Sequence, residues 1–232
     1  MLAVILTYHS FFEFLPNQLQ NLKNHITVPF KIYLVDNSQL PGQKFTDPLV
    51  TYLFCHTNTT PSDRHQSGVN LALAKAWGEC DCFLLFDNDM IFVEPFTPPA
   101  ETHYLPQRRG NLEYGWLNLM FFWKSSNLNA FGFANCPDTG ERTDSGGSFG
   151  WYLRSGAKTK QIEHLEADDC LVAYQNDYKE LCTRYGVKVW YDIFRINNSK
   201  VFHFRALSNW TKYPQDFQTE KKALILRHTT VN

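Results

Sequence analysis

Three runs of apolar and β-branched residues, each stopping abruptly at a polar cluster, constrain this chain more than any other feature. Residues 2–7 end at Tyr8-His9-Ser10, residues 31–35 at Asp36-Asn37-Ser38, and residues 82–86 at Asp87-Asn88-Asp89. Short apolar runs of this kind read as buried strands. Between the first two, Phe14, Leu15, Leu19 and Leu22 recur at helical spacing up to about Asn24, and Pro29 precedes the second run. The opening therefore reads as a β-α-β unit. Such units build parallel sheets with right-handed crossovers, which bind ligands at the carboxyl ends of their strands. All three polar clusters fall at that edge.

Further along, residues 50–55 read as a short strand leading into a polar Thr/Asn/Pro segment. Ser67-Gly68-Val69-Asn70 opens a helix carrying Leu71, Leu73, Ala74 and Ala76. After the Asp87 cluster the order is less regular: strands are expected at 103–105 and 115–123, a long loop at 133–147, and helices at 149–154 and 168–184. A strand is expected at 187–191. The tail from Phe202 reads as polar and aromatic, ending in Lys221-Lys222, with no core-building run after Leu226. With 232 residues and no repeats, one domain is expected.

The formal charge of −1 supplies no basic field for a nucleic-acid backbone or an anionic membrane surface. A small anion remains compatible, because a few local cations or one metal neutralise a diphosphate. Six cysteines are scattered without a C-x-x-C pair, which fits reduced thiols and a cytoplasmic enzyme. The apolar start is too short for a signal peptide or a membrane span and reads as a strand.

Asp87 and Asp89, one residue apart at a strand tip, present oxygen ligands suited to Mg²⁺ or Mn²⁺, a cation that also grips diphosphate oxygens. A bare D-x-D triplet is also an ordinary solvated turn. His203, within Val201-Phe202-His203-Phe204-Arg205, is the candidate third ligand, and Arg205, Ser208 and Asn209 are candidate donors to the diphosphate, with Trp210 closing over it. A lone strand histidine is equally a core residue. Arg64 is a candidate for a phosphate or the base, or a surface arginine. The glycines of Asp144-Ser145-Gly146-Gly147 would let backbone approach an acceptor sugar.

Taken together, Leu34-Val35-Asp36-Asn37-Ser38, Gly68-Val69-Asn70-Leu71-Ala72 and the segment from Phe83 through Asp87-Asn88-Asp89 to Met90 resemble, in order and spacing, the GT-A glycosyltransferases, family 2-like, with their D-x-D motif. The resemblance covers roughly the first hundred residues firmly and the rest loosely. It implies an α/β, Rossmann-like single domain with a mostly parallel sheet flanked by helices, about 1–100 binding the nucleotide sugar and about 101–232 the acceptor. It further implies a nucleotide pocket at Thr7, Tyr8 and His9, with Asp36 near the base or ribose, Asn70 near the pocket floor and Asn88 among the donor contacts. An Asx turn at Asp36 and a helix-start role for Asn70 are the ordinary alternatives. The acidic cluster Glu163, Glu166, Asp168 and Asp169 is similar to the catalytic region of inverting members, so Asp169 and Asp144 are the candidate bases.

The expected reaction is transfer of a sugar, by inversion in the first place, from a nucleotide-diphosphate donor, UDP the expected nucleotide, to a glycan or other hydroxyl acceptor; Leu117-Asn118-Leu119 and the late His-Phe segment also resemble the retaining members, the alternative stereochemistry. A nucleotidyltransferase should carry a glycine-rich phosphate loop after its first strand, and residues 6–11 contain no glycine. A non-catalytic sugar- or nucleotide-binding module has no need of Asp87, Asp89 and His203 together.

Overall fold

The computed structural model describes residues 1–39, 41, 46–57, 61–105, 112–113, 119–124, 142–143, 159–165, 169–205 and 213–230. It is a mixed α/β structure arranged as two compact units. One comprises Met1–His9, Thr27–Asp87 and Thr97–Ile162, the other Ser10–Ile26, Asn88–Phe96 and Glu163–Asn232. Each takes segments from before and after residue 100. Among the described residues, no helix is long and apolar enough to cross a membrane.

The first unit is built on a seven-stranded sheet. Its strands are β1 (Leu2–Tyr8), β2 (Phe30–Asp36), β3 (Val50–Phe54), β4 (Cys82–Asp87), β6 (His103–Leu105), β8 (Leu119–Trp123) and β10 (Thr159–Gln161), in the order β10-β6-β8-β4-β1-β2-β3. The pairs β10–β6, β4–β1, β1–β2 and β2–β3 are parallel, while β8 runs antiparallel to both β4 and β6. A separate two-stranded pairing joins β7 (Leu112–Glu113) and β9 (Arg142–Thr143). Helix α2 (Pro61–Ala76) packs on β1, β2 and β3. On that face Ala3, Ile5, Tyr33, Val35, Phe83 and Leu85 meet Val69, Ala72 and Ala76. The alternate residues Val4, Leu6, Leu34 and Leu84 face the other way and are equally buried. Burial on both faces explains why these strands read as unbroken apolar runs.

The second unit has an antiparallel sheet in the order β11-β12-β13-β5, from β11 (Glu163–Leu165), β12 (Asp192–Ile196), β13 (Ser199–His203) and β5 (Met90–Phe92). Helix α1 (Leu15–His25) finishes the β5 edge. The Asn21 carboxamide accepts from the Phe92 amide and donates to its carbonyl, both at 2.8 Å, and Gln18 donates to the Met90 carbonyl. These side chains meet backbone groups that an edge strand otherwise leaves open. Helices α3 (Val172–Tyr185) and α4 (Gln215–Thr229) pack together over a core that includes Phe14, Tyr174, Tyr178, Phe202, Phe204, Phe217 and Ile225.

The chain departs from the sequence pattern in three places. The strand expected at 187–191 is not formed: Gly186, at φ +61, ends α3, and the Val187 amide bonds back to the Cys182 carbonyl. The next strand begins instead at Asp192. The tail is not without a core element, because α4 buries Phe217, Leu224 and Ile225. Finally, α2 begins at Pro61 rather than Ser67, with proline in its first turn and Asp63 near its positive end. Asn70 is therefore a mid-helix residue. The expected helix at 149–154 and loop at 133–147 lie almost wholly outside the described residues.

Candidate active site

In the first unit the chain builds β1, β2 and β3 outward in one direction, then returns through α2 to lay β4 on the other side of β1. Such a reversal leaves a crevice at the carboxyl ends of the two central strands. Parallel register brings Thr7 beside Asp87 and Tyr8 beside Asp36 there. The Thr7 hydroxyl donates to Asp87 Oδ1 at 3.0 Å, and His65 Nε2, from α2, lies 3.7 Å from the same oxygen. The Asp87 side chain keeps 21% exposure. Tyr8 is fully buried and His9 exposed.

Asp36 is fully buried and held from both sides. The Ser38 amide donates to Oδ1 at 2.9 Å, forming the Asx turn, and the Tyr52 hydroxyl donates to Oδ2 at 2.5 Å. Next to it Asn37 continues the ladder, its amide bonding the Tyr8 carbonyl at 2.6 Å. Helix α2 passes so close that a Cβ on Gly68 would stand 2.6 Å from Asn37 Oδ1 and 2.8 Å from Val35 Cγ1. Arg64 and Asn70 are half-buried on this helix.

The second unit organises Asp89. Asn88 and Asp89 form the turn into β5, and the buried Asn88 amide group donates to the Ser10 carbonyl at 3.2 Å. Its donor thus serves the fold. Asp89 is 1% exposed, with Oδ2 3.1 Å from His203 Nε2, and its carbonyl accepts from the Phe204 amide at 2.7 Å. Antiparallel register sets His203 opposite Asp192, whose Oδ2 lies 3.7 Å from His203 Nδ1 and 3.2 Å from Arg205 Nη1. Arg205 also rests on the Trp190 ring at 4.4 Å. Burial alone would lower the His203 pKa, but the carboxylates of Asp89 and Asp192 more than offset that and hold it at about 9.

That shift has a measurable consequence. His203 keeps its proton in the folded chain at pH values where the unfolded chain releases it, so its stabilisation is full below about pH 6.5 and is lost as pH rises through about 9. Lys221 works the other way, its ammonium pushed down to about 8 by burial, so the clean window is 6.5 to 8. Unfolding free energy should fall by roughly 2 kcal/mol across that window. Denaturant titrations at several pH values check this. His203→Gln should flatten the slope, and an unchanged slope would refute the assignment.

The other expected residues separate. Asp169 is 69% exposed and bound to Lys200 at 2.6 Å, which holds its carboxyl below the usual range. A surface ion pair of this kind does not suit a base that must take a proton. Asp144, Ser208, Asn209 and Trp210 lie outside the described residues. His65, Tyr52, Asp192 and Lys221 are not singled out by the sequence, since each acquires its partner only through packing. For His65 a signal exists: it lies three residues before Gly68, within one helical turn.

Among the described residues, no group of three or more His, Cys, Asp or Glu side chains is assembled to hold a metal ion. At Asp89 the buried Oδ1 has no hydrogen-bond partner, an oxygen that suits a hard cation, whereas the His203 ring at the other oxygen would have to give up its proton before its Nε2 could serve as a ligand. No family model matches this chain, and no curated protein matches its sequence.

Proposed function

We propose that the chain is a GT-A-type glycosyltransferase that moves a sugar from a nucleoside-diphosphate donor, UDP foremost, to a glycan or other hydroxyl acceptor. The observation that carries this reading is the register at the strand reversal, where Thr7, Asp87, Tyr8 and Asp36 share the carboxyl edge of adjacent parallel strands. In that reading the base and ribose lie by Tyr8, Asp36 and Tyr52, and α2 contributes Arg64 and His65.

The D-x-D pattern assigns a divalent cation, Mn²⁺ or Mg²⁺, to Asp87 and Asp89, and His203 is the side chain that stands at the Asp89 carboxylate. When bound, the ion would offset charge developing on the departing diphosphate. The protein's own part is to keep these donors in place. Thr7 fixes the Asp87 carboxylate, and Asp192 orients the His203 ring from behind. Arg205, held by Asp192 and Trp190, is a ready cation for phosphate oxygens.

The test is thermal melting with UDP-, GDP- and TDP-sugars, each with and without Mn²⁺. A saturating donor is expected to raise the melting temperature by about 5 °C or more, and only with the metal. Stabilisation without any consumption of donor or release of nucleotide across a panel of acceptors would favour a binding module. No response to any nucleotide sugar would sink the reading.

A further inference from the structure

His65 stands where the packing of α2 runs out. The helix lays Val69, Ala72 and Ala76 on the sheet, and His65, one turn before Val69, extends that row past the strand tips. Because α2 follows β3 and crosses back over the sheet, this end of the helix lies at the carboxyl edge of the strands. There His65 Nε2 lies 3.7 Å from Asp87 Oδ1, while the Thr7 hydroxyl donates to the same oxygen at 3.0 Å. All three residues belong to the first unit.

The width of the gap decides what the pair suits. It is longer than a hydrogen bond to a ring nitrogen. Two atoms each about 2.1 Å from one ion stand about 3.0 Å apart at a right angle and about 4.2 Å apart in line, so 3.7 Å lies within the span of two ligands. The His65 and Asp87 side chains keep 22% and 21% exposure, which leaves room for the waters or diphosphate oxygens that complete the shell of a divalent cation. His203 and Asp89 keep only 7% and 1%. Thr7 supplies the hydrogen bond that orients a ligating carboxylate from behind.

We propose that His65 and Asp87 form a cation half-site on the first unit, with an imidazole nitrogen that biases it toward first-row transition ions such as Mn²⁺ over Mg²⁺. Imidazole is a softer donor than carboxylate and adds little to a magnesium site. The pair brings in a ligand that the D-x-D pattern does not contain. It rests on the proposed function only in taking Asp87 as a cation ligand, and the ion alone tests it, without nucleotide.

Pulsed paramagnetic resonance of Mn²⁺ bound to the whole chain reads the ligand directly, since a coordinated imidazole nitrogen couples to the electron spin of the ion. Wild type should show that coupling. His65→Gln should lose or diminish it, bind Mn²⁺ about tenfold more weakly, and cut the preference for Mn²⁺ over Mg²⁺ by about ten as well. Its melting temperature in chelator should stay within about 2 °C of wild type, because a partly exposed pair at this distance contributes little to folding. His65→Asp should also lose or diminish the coupling, while binding Mg²⁺ at least as tightly as wild type, carboxylate oxygen being the harder donor. Coupling undiminished in both variants would assign the nitrogen to another histidine, His203 foremost, and overturn the proposal while leaving the D-x-D cation in place. A wild type that binds no Mn²⁺, or binds it without nitrogen coupling, would overturn it as well. Coupling that follows His65 in a chain answering to no nucleotide sugar would keep the ion site and remove the glycosyltransferase reading.

Discussion

Asparagine at position 87 is expected to lower donor turnover by about a thousandfold while hardly moving the melting temperature. The Asp87 side chain is partly exposed and accepts from Thr7 through Oδ1, a role the asparagine carbonyl oxygen can take over with the same shape. What disappears is the negative charge. On the proposed reading that charge helps hold the cation against the diphosphate, and a neutral oxygen is a much weaker ligand for a hard ion. Asp89→Asn is a less clean test, because it also breaks the buried pair with His203 and so costs stability. Rates of nucleoside-diphosphate release by Asp87→Asn, set beside its melting curve, separate chemistry from folding. A variant that keeps about half the wild-type rate, against the expected thousandfold loss, would remove Asp87 from the site.

Valine in place of Gly68 is expected to cost about 3 kcal/mol of stability. Even a bare Cβ at this position would overlap Asn37 and Val35, and the added methyl groups would push α2 away from the end of β2. Val35 is fully buried and β-branched, so it cannot swing aside; Asn37 is 4% exposed. The same displacement would loosen Asp36 and its Tyr52 partner, so on the proposed reading nucleotide affinity should fall along with stability. Denaturant unfolding and nucleotide binding on one variant check both expectations. A Gly68→Val protein as stable as wild type would mean that α2 does not rest on β2 as described.

The parts of this fold legible in the sequence are those where a single signal suffices. Residues 2–7, 32–35 and 82–86 are buried on both faces, so periodicity, composition and the abrupt polar ends all agree. The same agreement locates the Asp87-Asn88-Asp89 turn. The C-terminal helix is hidden by Lys221, a charge placed inside its apolar stripe, which makes an amphipathic segment look polar throughout. Strand β5 has three residues and owes its form to β13 on one side and Asn21 on the other, neither of which is near in sequence. Asp192 reads as an isolated acid, and only the β12–β13 register sets it behind His203. Asp169 illustrates the reverse case: the acidic cluster around it suggests chemistry, whereas exposure and Lys200 give it a surface role. Local pattern thus announces strands and their tips, while partners arise from long-range register.

Glycosyl transfer is tested by release of nucleoside diphosphate from a UDP-sugar by the wild-type chain, with a panel of saccharide acceptors, in Mn²⁺ and again in chelator. Release should require the metal, rise with the right acceptor and be lost in Asp87→Asn. Melting curves that respond to no nucleotide sugar, together with no release under any of these conditions, would contradict glycosyl transfer.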